Sequence, residues 1–404
     1  MATNSNAVEL RRARATQDDA AAIRFGHPVA LLTITIGALL VVGVVMILSA
    51  SSVQSFASYG SSFVFFKKQL VSVVLGLAAL GIAYRVDYRR LKGLGYLLLP
   101  AVALLLLLVL VPGLGITVGG SQRWIPLGIT DFQPSEPAKF ALVLFAADVF
   151  ARKKEAALLE FSHTAIPTLP ALGVLAVLIM MQPDLGTTML LAGIAIGMLF
   201  VAGAPLRHIV PIGMLGAGLA VLASLAAPYR RQRIMAFMDP WQDPLESGYH
   251  AIQSMIALGS GGFFGVGLGA SRQKWSYIPN AHTDFIYAII GEELGLLGTF
   301  VVLGLFVFLA YMGIRTALKA PDRFGMLIAS GITIWISMQA LVNMGAVTSS
   351  LPITGVPLPL VSFGGTSLVI SLAAMGVLLN IAKQGEDGPT PRSRKRRRRS
   401  VPAR

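Results

Sequence analysis

PVALLTITIGALLVVGVVMILSA, residues 28–50, decides the fold. It holds 23 residues and no ionisable side chain. A hydrocarbon core about 30 Å thick takes roughly 20 helical residues to cross, so this run can span it. It is also too long for the apolar heart of a cleavable signal, which makes it an uncleaved first span behind a polar tail, residues 1–27.

The pattern recurs along the chain. Apolar segments lie near 28–50, 69–84, 94–111, 137–151, 166–181, 185–202, 209–227, 284–313, 325–345 and 366–383. The fourth is short, and the break at Gln182-Pro-Asp184 could be a re-entrant turn instead of a loop. Composition agrees: 55% of residues are hydrophobic and 13% charged, about half the charged share of a soluble domain. The expectation is an all-α polytopic membrane protein of about ten transmembrane helices, residues 28–383. A large extracytoplasmic loop, 228–283, separates spans seven and eight, and a basic tail, 384–404, follows the last. A soluble enzyme, a disulfide scaffold and a disordered chain are excluded. No internal repeat is visible, which argues against a transporter built from inverted halves.

Lysine and arginine set the direction. With the N-terminus in the cytoplasm, 24 of the 33 basic residues fall on the cytoplasmic side, eight fall outside, and Lys139 lies within a span. That asymmetry is expected when both termini are cytoplasmic. RSRKRRRR at 392–399 reads as a tail held near anionic lipid, each charge contributing about 1 kcal/mol. A nucleic-acid arm is the less economical reading, and no nucleic-acid partner is expected. Cysteine is absent and the five histidines lack ligand spacing, so no metal site is expected.

Polar residues at membrane depth are costly, about 2.5–3.5 kcal/mol for a central charge, so they mark candidate sites. Glu136 and Lys139 open the fourth span and share a helix face. Ser135 is the expected N-cap and Pro137 suits the first turn. The pair either lines a polar cavity or is a structural ion pair near the interface. Just before it, Arg123 beside Trp124 offers a phosphate-binding guanidinium next to an interfacial ring. In the large loop, GSGGFFGVGLG at 259–269 fits neither a dinucleotide nor a phosphate-loop pattern. It reads as closely packed turns at the membrane surface. Asp284 follows His282 and Thr283 at the start of span eight, where a carboxylate can cap the helix or serve as a general base. In the last outer loop, SLPITGVPLPLVSFGGTS at 350–367, three prolines fix an extended path. Gly364-Gly365 then turns into span ten, with Thr366 or Ser367 as cap. Such a loop at membrane depth must be buried in protein or line a cavity.

Together these stretches resemble the SEDS family (shape, elongation, division and sporulation), the polytopic polymerases of peptidoglycan. The likeness is carried by GSQRWI (120–125), FQPSEPAK (132–139), QPDLG (182–186), residues 248–269, residues 273–295 with HTDFIYAIIGEELG at 282–295, and LPITGVPLPLVSFGGTS at 351–367. It covers all ten expected spans. DPWQDP at 239–244 and GASRQK at 269–274 are closer to the division branch, while ITGVP at 353–357 is closer to the elongation branch. Asn280 stands where the family commonly has Glu, and Pro137 where it has Leu. Neither departure touches Asp284, Glu136 or Lys139.

The resemblance implies polymerisation of lipid II, a disaccharide-pentapeptide on undecaprenyl diphosphate, at the outer face of the cytoplasmic membrane and at the division site. It implies Asp284 as the catalytic residue. Substrate-binding candidates are Arg123, Trp124, Glu136, Lys139, Lys274, His282, Thr283, Ser362, Gly364 and Gly365, with Arg230 and Arg231 as further cations for the diphosphate. No cofactor is evident, though a divalent cation such as Mg2+ could assist the leaving group. Expected partners are a class B penicillin-binding protein, since no soluble crosslinking domain is visible in the sequence, other divisome proteins, and membrane lipid. Gly291, Gly295 and Gly298 on span eight are the candidate face for the partner's helix, with internal packing as the alternative. A lipid II flippase would need such a cavity without a base, and a division scaffold would need neither. An elongation polymerase is the nearer alternative.

Overall fold

The computed structural model describes residues 27–386, apart from positions 119, 127, 129, 130, 276 and 280. The polar N-terminal tail and the arginine run at 392–399 lie outside the described residues. Ten helices sit on the ten apolar segments: α1 (Pro28–Tyr59), α2 (Val64–Arg85), α3 (Leu94–Val109), α4 (Ser135–Arg152), α5 (Phe161–Met180), α6 (Leu185–Ala202), α7 (Leu206–Ala226), α10 (Ile286–Leu318), α11 (Arg323–Val347) and α12 (Gly365–Glu386). The large loop adds two short helices, α8 (Pro228–Met238) and α9 (Tyr249–Ser260). Between α3 and α4 lies an antiparallel meander of β1 (Ile116–Val118), β2 (Ser121–Pro126) and β3 (Asp131–Phe132). The helical reading of the sequence lacked this sheet, because strands of three, six and two residues are too short to show alternation.

Eight of the ten helices are long and apolar enough to cross a membrane. The other two are α3, with 16 residues, and α4, which carries Glu136, Lys139, Asp148 and Arg152. Those charges explain where α4 sits. Charged groups in hydrocarbon must be paired and covered, and α4 is packed between α3, α6 and α11 with most of its residues buried. Asp148, near its far end, accepts from Arg152 at 2.6 Å and from the Gly93 backbone at 3.2 Å. Helices α2 and α7 are peripheral, while α11 and α12 are largely buried. Both α5 and α6 are long and apolar enough to cross a membrane, and Gln182-Pro-Asp184 forms the turn between them.

Two boundaries differ from expectation for a physical reason. Helix α1 continues past Ala50 to Tyr59, because SSVQSFASY is polar enough to end an apolar run yet keeps helical geometry. Gly60 stops it at φ 68°, with its N–H on the Phe56 carbonyl. Helix α4 begins at Ser135, but the Ser135 side chain makes no cap hydrogen bond, so the expected N-cap is not observed.

His27 Nδ1 lies 4.0 Å from Glu386 Oε2, so the chain enters α1 and leaves α12 at one end of the bundle. Arg89 joins Asp322 (3.1 Å) and Gln384 (2.7 Å) at this end. The opposite end carries the meander, α8, α9 and the proline-rich loop.

Helix α10 is broken there. Gly295 adopts φ 69° and ψ −166°, and the glycine-rich chain from α9 inserts beside it. The carbonyls of Glu292 and Glu293 accept from Val266 (2.9 Å) and Gly267 (3.1 Å), while Leu296 donates to the Gly262 carbonyl (2.9 Å). An interrupted helix at membrane depth thereby regains backbone partners, each of which would cost several kcal/mol if left unpaired. A Cβ on Gly265 would stand 2.2 Å from the Glu293 carbonyl, and one on Gly261 1.9 Å from that of Gly291. Glycine is required at this approach.

Candidate active site at one end of the bundle

A cavity of about 760 Å³ opens among α1, α2, the meander, α4, the α5–α6 turn, α8, and the loops before α10 and α12. Of the sequence candidates, Arg123, Trp124, Glu136, Lys139, Thr283, Asp284, Gly364 and Gly365 line it.

Asp284 sits just ahead of α10, half-buried on the cavity wall. Phe285 occupies the N-cap position and no side chain caps the helix, so Asp284 is not a cap. The Asn343 amide of α11 fixes its backbone, donating to the carbonyls of Asp284 and Val356 at 2.8 Å each. Opposite the carboxylate lies Gly355, whose φ of 72° favours glycine and whose Cβ position is in ordinary contact with Oδ2 at 3.5 Å. Burial pushes the Asp284 carboxyl up to about 6, against the pull of the Arg233 and Arg123 charges, and Asp184 adds to the rise. A carboxylate of that basicity is ionised at neutral pH and able to take a proton from an alcohol.

Glu136 and Lys139 project from the first turns of α4. Lys139 Nζ lies 2.8 Å from Glu136 Oε2 and donates to Gln339 Oε1 at 2.8 Å, with the Trp335 ring 5.2 Å below it. Its side chain is only 1% exposed. Gln339 also accepts from the Trp335 indole (2.8 Å) and donates to the Pro357 carbonyl (2.9 Å). Gln339 and Asn343, one turn apart on α11, therefore brace Lys139, Asp284 and the proline-rich loop together.

Arg123 reaches across from β2 to the α5–α6 turn. It donates to the Gln182 and Pro183 carbonyls (3.0 and 2.6 Å) and pairs with Asp184 at 3.4 Å. Asp184 in turn caps α6 through Thr187 N (3.0 Å). Thr366 does not cap α12 as expected; its hydroxyl links the Asp131 carbonyl and the Gln133 N–H, holding α12 to the meander.

Other candidates lie elsewhere. Lys274 is turned into the protein against Glu293 and Ser49, both at 3.3 Å. It cannot meet a substrate phosphate there, because the two adjacent glutamates of α10 need partners: Glu293 takes Lys274, and Glu292 takes the Ser271 and Arg272 turn. His282 is buried between the rings of Phe65 (4.8 Å) and Phe363 (5.3 Å), and burial lowers its pKa to about 4, so it is neutral packing. The Ser362 hydroxyl donates to the Thr283 carbonyl at 2.6 Å and accepts from Leu358, a loop-shaping role. Arg230 donates to Tyr229 and the Ala223 carbonyl, and neither it nor Arg231 lines the cavity. Gly291, Gly295 and Gly298 are buried against Leu258 of α9, the 263–265 chain and Leu294 of α10 itself, so they pack internally.

The cavity also contains residues the sequence did not single out: Lys68, Asp131, Asp184, Tyr229 and Arg233. Gln339 and Asn343 had a readable signal, two buried amides four residues apart in an otherwise apolar span. Lys68 had none beyond its place in the first turns of α2.

Three comparisons bear on this arrangement. The sequence pattern of the FtsW/RodA/SpoVE cell cycle proteins matches residues 30–387. Stage V sporulation protein E of Bacillus subtilis is 43% identical over 356 residues, covering 88% of this chain and 97% of that protein. The probable peptidoglycan glycosyltransferase FtsW of Thioalkalivibrio sulfidiphilus is 43% identical over 363 residues, covering 89% and 90%. Among solved structures, a chain of a peptidoglycan synthase complex that coordinates polymerization and crosslinking superposes with a TM-score of 0.71 at 32% identity, covering 87% of this chain and 97% of that one. The rod shape determining protein RodA of Thermus thermophilus gives 0.64 at 30% identity, covering 87% and 96%.

Proposed function

The chain belongs to the FtsW/RodA/SpoVE cell cycle protein family, and we propose that it is a peptidoglycan glycosyltransferase of the FtsW type, polymerising lipid II for the septal wall. It is a multi-pass membrane protein. The basic asymmetry, 24 residues against eight, supports ten spans in the cytoplasmic membrane, cytoplasmic termini and an outward cavity.

One observation carries the chemistry: a carboxylate of raised basicity, Asp284, stands in a polar cavity at the end of the bundle where lipid-borne sugars would enter. In the step proposed, Asp284 takes the proton of the acceptor hydroxyl. The freed oxygen bonds to the donor's anomeric carbon, and the carbon–oxygen bond to the diphosphate breaks, its electron pair leaving with undecaprenyl diphosphate. Fixed cations oppose the charge gathering on the leaving group. Among the described residues, no three carboxylate or imidazole groups are close enough to hold a metal ion. Asp184 is already taken by Arg123 and Thr187.

The synthase-complex relative couples polymerization to crosslinking, which supports a class B penicillin-binding protein as partner. With the glycines of α10 buried, the exposed stripe Leu297, Val301, Val307, Tyr311 and Ile314 is the surface on which a partner helix would lie. The reading is tested by reconstituting the full chain with such a partner in liposomes carrying lipid II on both faces. Glycan strands are expected. Transfer of lipid II between leaflets without polymer would replace the polymerase reading with the flippase one.

A further inference from the structure

The cavity charges fall into two kinds, and the difference assigns a role that rests on the polymerase reading. Four cations line the cavity, Lys68, Arg123, Lys139 and Arg233, with four carboxylates, Asp131, Glu136, Asp184 and Asp284. The lining is formally neutral, yet joining two lipid-linked sugars brings two diphosphates into it. Their binding must come from cations that are not already neutralised.

Arg123 and Lys139 do not qualify. Arg123 is held by Asp184 and two backbone carbonyls, and Lys139 is buried against Glu136 and Gln339. Moving either toward a ligand would strand a buried carboxylate. Lys68 and Arg233 differ. Among the described residues, neither has a carboxylate within ion-pair distance. Lys68 Nζ lies 5.9 Å from the centre of the Tyr59 ring, and Arg233 lies 6.0 Å from that of Tyr229 while reaching the Ile353 carbonyl at 3.4 Å. They also stand on separate elements, α2 and α8. With no carboxylate to neutralise them, Lys68 keeps its donors for an arriving anion, and Arg233 keeps all but the one that meets the Ile353 carbonyl.

We propose that Lys68 and Arg233 are the diphosphate-holding residues of the cavity, one from α2 and one from α8, and that Arg123 and Lys139 hold its frame. The arginine offers a planar fork to two oxygens and the lysine a point charge, so the two are suited to separate diphosphates.

The test is direct binding of geranylgeranyl diphosphate to the full chain in nanodiscs, with geranylgeranyl monophosphate as the weaker reference, alongside the KM for lipid II. Loss of one charged contact is expected to weaken binding about tenfold or more in Lys68→Gln and in Arg233→Gln. KM should rise with it, and Lys68→Arg and Arg233→Lys should recover most of the loss. Lys67→Gln, one residue away and outside the cavity, should match wild type. Unchanged diphosphate affinity in both Gln variants overturns the assignment, even if the protein polymerises lipid II. Diphosphate binding that depends on both residues in a protein making no glycan upholds the assignment and removes the polymerase reading instead.

Discussion

At the scale of single residues, Asp284 combines burial with fixed cations, and its titration follows. The base works ionised, so the polymerisation rate should rise with pH through about 6 and level above it. Arg233 draws the carboxyl down. Arg233→Gln should therefore move the acid limb of kcat to higher pH, separately from any change in KM. A profile flat from pH 5 to 8 in both proteins would mean that Asp284 is not the titrating base. Much of this site was legible. Asp284, Glu136, Lys139 and Arg123 are ionisable groups beside apolar runs, and such groups are expensive enough to mark a site. Lys274 looked equivalent and is not, because sequence gives no hint that Glu293 and Ser49 enclose it. Lys68 and Arg233 were missed for the converse reason: one opens a span and the other rides on a loop helix, where a basic residue ordinarily means nothing.

At the scale of elements, the apolar runs placed every long helix, and the errors lie where polar chain remains helical or glycine breaks a helix. The last two and a half turns of α1, residues 51–59, read as loop because hydropathy, not helical geometry, set the expected boundary. The three glycines of span eight suggested a docking face, since small residues permit close approach to anything. Which neighbour approaches depends on tertiary packing, and here Gly291 meets Leu258, Gly295 the 263–265 chain and Gly298 Leu294. Gly265 is the position most exposed to this argument, with φ 83° and a Cβ site 2.2 Å from the Glu293 carbonyl. Gly265→Val should lower the melting temperature of the detergent-solubilised protein, since backbone strain of this kind costs about 1–3 kcal/mol before the lost hydrogen bonds are counted. Gly216→Ala, in the middle of α7 where nothing lies within 4 Å of a Cβ, should not lower it, since alanine is the better residue in a helix interior by about 0.5–1 kcal/mol. Equal melting temperatures in all three proteins would refute the inserted-chain account of α10.

At the scale of the whole molecule, one end of the bundle ties the loops together and the other holds the cavity. Arg323 at the first end donates to the Lys153 and Ala202 carbonyls (3.1 and 3.0 Å), fastening α11 to the ends of α4 and α6. At the other end, α11 supplies Gln339 and Asn343 to the walls of the site. The helix that braces the Asp284 backbone is thus anchored at both ends, and the proposed chemistry should be separable from folding. Asp284→Asn removes a carboxylate whose burial disfavours its charged form. That unfavourable contribution is present above pH 6 and fades as the group protonates, so at neutral pH the variant should fold and insert at least as well as wild type. General-base catalysis contributes about 10²–10⁴-fold. The most direct test is therefore glycan formation from lipid II by Asp284→Asn, reconstituted with its partner at pH 7.5 and shown to be inserted and to bind the diphosphate lipid as wild type does. The account predicts a rate at least about a hundredfold below wild type. Polymer made at near wild-type rate would contradict it and send the search for the base to Glu136 or Asp131 on the same cavity wall.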